Sequence, residues 1–145
     1  MRVKKLIDPR VLEFLKASSD GDVVAVQQLL DTGAEVNALG TYNDTALHSA
    51  ALRGNVELVK LLLAAGADTE LVTHEGLTAF DLAIEFRSYK AAALLVPARL
   101  KDLVLEIGRH AHSLSAWLNF GDAKVSAMGI KDLAFWLNCT LEVKR

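Results

Sequence analysis

Proline and cysteine are nearly missing from this chain: 145 residues contain 2 prolines and 1 cysteine. With hydrophobic residues at 52%, so little proline excludes a collagen-like or disordered polymer and leaves ample material for a core. The lone Cys139 has no partner for an internal disulfide, which fits a reducing compartment and gives an intracellular, cytoplasmic expectation. A dominant charge is also lacking. Sixteen Lys and Arg against 18 Asp and Glu leave a net charge of −2, so nothing draws the whole chain to nucleic acid or to an anionic membrane. Short basic clusters at the ends (Arg2, Lys4, Lys5; Lys144, Arg145) read as solvated tails.

Long apolar runs are missing as well. None approaches the ~20 residues that span a bilayer. The start, Met1 to Asp8, opens like a signal peptide, but Asp8 and Pro9 interrupt the apolar core that should follow. Without a secretion signal, the sequon Asn138-Cys139-Thr140 is expected to go unused. No nucleophile elbow or phosphate-cradling glycine loop occurs. Of the four histidines, His48, His74, His110 and His112, the last two are two apart and diverge on a helix. No cysteine or acidic cluster completes a metal set, so no cofactor, metal or catalytic residue is expected. An enzyme using His110, His112 or Cys139 is the least favoured function.

What is present is a period. Gly21 and Gly54 are 33 residues apart, as are Gly33-Ala34 and Gly66-Ala67. Leu29-Leu30, Leu62-Leu63 and Leu95-Val96 take the same step, and Thr45-Ala46-Leu47 returns as Thr78-Ala79-Phe80. Each unit reads as two helices. In the middle unit the first runs from about Thr45, an N-cap residue, to Arg53, with Leu47, Ala50 and Ala51 inward, and Gly54 ends it. The second follows Asn55 and carries Val56, Val59, Leu62 and Leu63 on one face. Asp22, Asn55 and Ser88 share one repeat position, and all three are N-cap residues. Asp8-Pro9 suits the start of the first helix. After each Gly-Ala come turn formers: Asn37, Gly40, Asn43 and Asp44, then Gly76. A helix pair with a projecting turn cannot bury its own apolar faces and must stack on copies of itself.

The stretch from Thr45 to Asp68 resembles an ankyrin repeat over nearly its whole length. Residues 73–96 form a weaker copy, and residues 9–37 resemble an N-terminal capping repeat. The resemblance implies an all-α, helix-turn-helix solenoid with short projecting hairpin turns. Its repeats occupy residues 1–96 in units of about 9–37, 38–70 and 71–96. Three departures stand out. Ala46 and Ala79 replace the usual proline, Asn43 replaces a turn glycine, and Asp81 replaces the histidine kept as His48. Since that histidine bonds neighbouring loop backbone in the family, the second loop is expected to be held differently.

The pattern breaks at Pro97, and Arg99 stands where a glycine is due. Leu100, Leu103, Val104 and Ile107 suggest an amphipathic helix. A second apolar segment runs through Leu114, Trp117, Leu118 and Phe120, and a third through Ile130, Leu133, Ala134 and Leu137. Residues 97–145 are either a degenerate fourth repeat or a divergent helical cap. The cap is favoured because Trp117 is too large for its repeat position, and because an array must cover its apolar end. Trp117 and Trp136 are read as core.

The resemblance implies a non-catalytic protein-interaction module. Its concave face would be formed by Thr41, Tyr42 and Asp44 in one turn and His74, Glu75 and Leu77 in the next. The first helices would add Lys16, Ser19 and Asp20; Ser49, Leu52 and Arg53; and Leu82, Glu85 and Phe86. Tyr42, Leu52 and Phe86 are the apolar anchors, with Arg53 and Glu85 for steering. The expected partner is a protein or peptide, bound by a monomer, with no nucleic acid or membrane. The alternative is a structural or regulatory subunit whose C-terminal helices mediate oligomerisation.

Overall fold

The computed structural model describes residues 7–97, 100–102, 105, 118–120, 123–125 and 133–137. Within residues 7–97, six helices come in three pairs: α1 (Pro9–Asp20) with α2 (Val23–Asp31), α3 (Ala46–Arg53) with α4 (Val56–Ala64), and α5 (Ala79–Glu85) with α6 (Tyr89–Leu95). Helices α1, α3 and α5 touch in series as an inner row, and α2, α4 and α6 form a second row behind them. This is the ankyrin-type helical solenoid that the resemblance implied.

The 33-residue period is the register of the core. Phe14, Leu47 and Phe80 hold one position on the inner helices, and all are buried. Val26, Val59 and Ala92 hold one on the outer helices, each fully buried. These rungs share one buried cluster and neighbouring helices touch along each row, so each large apolar side chain removed from water contributes about 1.5–3 kcal/mol. Ala50, Ala51 and Ala83 line the inner row, where small side chains let the helices approach.

The caps follow the sequence with one exception. Asp8 accepts from Arg10 N–H, Asp22 from Ala25 N–H and Asn55 from Leu58 N–H. Ser88 makes no side-chain cap bond. Its hydroxyl instead turns toward the preceding repeat, where a Cβ on Gly54 would lie 2.8 Å from Ser88 Oγ. The short serine cannot span both directions. Asn55 does so, since its amide nitrogen also reaches the Gly21 carbonyl at 3.5 Å.

The helix-pair corner needs a left-handed residue. Gly21 and Gly54 supply it with φ of 75° and 68°, and 33 residues further on Arg87 holds the same conformation with φ of 58°. The period calls for glycine at 87, and a side chain there carries strain.

Beyond α6, residues 100–102 and 105 are helical, in line with the amphipathic helix expected from Leu100. Where the cap was expected to be helical, β1 (Leu118–Phe120) pairs antiparallel with β2 (Ala123–Val125), Leu118 opposite Val125. The strands are separated in sequence by Gly121-Asp122, a pair suited to a tight hairpin. Strand β2 lies against α5. Residues 133–137 are helical, and Leu133, Ala134 and Leu137 join the same buried cluster as α5 and α6. Trp136 packs on that cluster, in keeping with its reading as core. The readings placed on Leu103, Val104, Ile107, His110, His112, Leu114, Trp117, Ile130 and Cys139 lie outside the described residues.

Candidate functional site

The two projecting turns are built alike. In the first, Gly40 N–H donates to the Asp44 carbonyl at 2.8 Å, and Asn43 N–H donates to the Gly40 carbonyl at 3.2 Å. In the second, Thr73 N–H donates to Leu77 at 3.0 Å and Gly76 N–H donates to Thr73 at 2.8 Å. Asn43 and Gly76 both have positive φ, 58° and 81°, so asparagine serves where the family places glycine.

Neighbouring turns are tied to one another. His74 N–H donates to the Tyr42 carbonyl at 3.0 Å, and the two rings lie 5.3 Å apart. Asp68 N–H donates to Asn37 Oδ1 at 2.8 Å. His48 makes the deepest tie. Thr45 N–H donates to its Nδ1 at 3.1 Å, which closes a capping box and requires that nitrogen to be unprotonated. The proton therefore sits on Nε2, which donates to the Leu77 carbonyl at 3.1 Å. Burial lowers the His48 pKa from its ordinary value of 6.5; the carbonyls of Leu77 and Leu71 and the Asp44 charge oppose this without reversing it. His48 is thus a neutral strut between α3 and the next turn.

Asp81 closes the same box on α5, its carboxylate accepting from Thr78 N–H at 3.0 Å. A carboxylate has no N–H to offer a carbonyl, so Asp81 cannot make the kind of bridge that His48 makes to Leu77.

Between the two turns and the inner helices lies a groove of about 250 Å³. Tyr42, Asp44, His74, Glu75 and Leu77 line it from the turns, and Ser49, Leu52 and Leu82 from the helices. Tyr42 is 63% exposed, so it offers its ring to an incoming group. Leu52 also reaches the groove and is exposed. Four expected residues do not line it: Thr41, Arg53, Glu85 and Phe86, all exposed. Arg53 and Phe86 stand at the far ends of α3 and α5 from the turns. Leu82 was expected to be exposed and is not, at 9%. It replaces Ser49 one repeat on, and the larger aliphatic side chain gains by covering itself at the groove floor. Sequence reasoning missed two lining residues, His48 and Thr73. His48 was legible as a family residue but read as purely structural; Thr73 carried no signal of its own. Lys16, Ser19 and Asp20 are exposed on α1 or at its end, outside this groove.

Among the described residues, no group of three or more His, Cys, Asp or Glu is placed to hold a metal ion. Among them too, no helix is long and apolar enough to cross a membrane.

The sequence profile described as ankyrin repeats (3 copies) matches residues 14–104. The chain belongs to the ankyrin-repeat family. Part of the chain is similar to stretches of several other proteins. The chain is 37% identical over 92 residues to the Notch-regulated ankyrin repeat-containing protein B of Danio rerio, covering 61% of this chain and 82% of that one. It is 47% identical over 71 residues to the 2-5A-dependent ribonuclease of Mus musculus, covering 48% of this chain but 10% of that protein. A putative ankyrin repeat protein of fowlpox virus is 32% identical over 92 residues, 61% of this chain and 14% of the viral one. The chain thus spans a small part of two of these relatives and most of the third. Ankyrin repeats generally mediate protein–protein interaction, and the family is typically non-catalytic.

Proposed function

We propose that this chain is a non-catalytic module that binds a partner protein or peptide in the groove between the Tyr42 and His74 turns. The observation that carries this reading is the joining of those turns. Backbone and ring contacts between Tyr42 and His74, and the His48 bridge beneath them, hold the groove in shape before any partner arrives. A preformed groove spares the ordering cost of binding. Tyr42 and Leu52 are its apolar anchors, and Asp44 and Glu75 give it an acidic margin, so a short segment with an apolar residue beside a cation fits it best. In this reading the monomeric, intracellular chain uses residues 1–96 as the array and residues 97–145 as its cap. Burial of Leu133 and Leu137 in the chain's own core supports a capping role over an assembly role for those two side chains.

Affinity capture with the wild type, Tyr42→Ala and Leu52→Ala tests the surface. The expected result is a specific partner that both variants lose while keeping the wild-type melting temperature. Retention of every specific partner by both variants sinks the groove as the binding face.

A further inference from the structure

A second cleft, of about 340 Å³, lies at the opposite ends of the inner helices, where the second and third helix pairs turn. Arg53, Arg87 and Lys90 line it together with Ser88, Tyr89 and Trp136, and among the described residues none that lines it is acidic. Among the described residues neither Arg53 nor Arg87 is held in an ion pair. Lys90 Nζ sits 4.7 Å above the Trp136 ring, which steadies the ammonium at the rim.

The repeat supplies its own control. One period earlier, the positions of Arg53, Arg87 and Lys90 are Asp20, Gly54 and Glu57. Among the described residues, the same corner therefore carries two acids and no cation at the first junction, and three cations and no acid at the second. The fold does not require cations here, and the chain as a whole is slightly acidic. Arg87 adds a second argument. It occupies the left-handed corner that Gly21 and Gly54 fill in the other pairs, so a guanidinium is kept where the backbone favours glycine. Side chains held in this region are enriched at functional positions.

We propose that this corner is a binding site for the phosphoryl group of a phosphorylated segment of a partner protein. A phosphate monoester carries close to two negative charges and three acceptor oxygens, which two guanidiniums, an ammonium and the Ser88 hydroxyl can share; a single carboxylate leaves most of that positive charge unmatched. The cluster is also bounded. Asp20 and Glu57 at the adjoining corner repel an extended polyanion, so one phosphoryl group on a peptide suits it better than a membrane face or a nucleic-acid backbone. The site is distinct from the turn groove and does not depend on it.

The test uses the full chain and the capped tripeptide Ala-phosphoserine-Ala, followed by backbone amide shifts at constant ionic strength. Saturable shifts at Gly54, Ser88 and Lys90 are expected, with affinity reduced at least about tenfold in Arg53→Gln and in Arg87→Gly, the loss expected for a charge-assisted hydrogen bond. Arg87→Gly relieves the corner, so it should melt at a higher temperature than the wild type, and its loss of binding cannot be put down to unfolding. The proposal is overturned if the two variants bind as the wild type does, or if the tripeptide with glutamate or unmodified serine binds equally well. Equal binding of inorganic phosphate overturns it too, as does tighter binding of phosphatidate vesicles or of a single-stranded oligonucleotide.

Discussion

His48 joins three things in one side chain: the cap of α3, the carbonyl of the next turn and the floor of the groove. It can do so only while neutral, because Nδ1 must accept and Nε2 must donate. Its lowered pKa means that the unfolded chain binds a proton at higher pH than the folded chain does. Stability from this residue is therefore fully present above 6.5, the ordinary value, and is lost as pH falls through the lowered folded value. The urea midpoint of the wild type should fall between pH 7 and pH 5. His48→Asn, which can still close the cap but not bridge to Leu77, should unfold more readily at pH 7, by about 1–2 kcal/mol, and show a smaller fall over that range. An equal fall in both proteins removes His48 as the source. Arg87 is the other residue with a large local effect. Replacing it by glycine should raise stability by about 0.5–1 kcal/mol in denaturant titrations, the relief of the left-handed side chain less the entropy of glycine.

The helices owe their limits to caps, and the outer row shows how one atom matters. Asn55 caps α4 and still reaches back to Gly21, whereas Ser88 faces Gly54 and leaves α6 without a side-chain cap. Ser88→Asn should restore the bond to the first turn of α6 and raise the melting temperature by about 0.5–1 kcal/mol worth of stability. An unchanged or lower melting temperature means that the Gly54 contact excludes the longer side chain. These elements were also where the sequence was most readable. Helix stripes at 3.6 spacing, a cap before each and a shared 33-residue step all pointed the same way, so α1 to α6 lie where the pattern put them. Asn43 was read correctly as a stand-in for glycine, because asparagine tolerates positive φ. Arg87 escaped notice although the same period predicts glycine there; arginine carries no such tolerance, and a local reading does not expect it. The hairpin was hidden for another reason. Leu114, Trp117 and Leu118 fit helical spacing, while each strand spans only 3 residues, too few to establish an alternation of two.

On the scale of the molecule, three helix pairs bury a ladder of side chains while presenting a groove between the turns along one edge and a basic cleft at the other ends of the inner helices. An array of this kind is a sum of repeat and interface contributions, so its last pair needs cover. Leu133 and Leu137 are buried in one cluster with side chains of α5 and α6, which supports the proposed capping role. Of the candidate site, the turn residues were legible because the family pattern fixes where turns project. Burial of Leu82 and the distance of Arg53 and Phe86 from the groove were not, because they depend on how far each side chain reaches along its helix. The central claim is that partners meet this chain at the turns. Hydrogen exchange of the complex recovered by affinity capture tests it most directly. The account predicts slowed exchange at residues 40–44 and 73–77 and at the first turns of α3 and α5. Slowing confined to the outer helices α2, α4 and α6, with the turns exchanging as in the free protein, would contradict it.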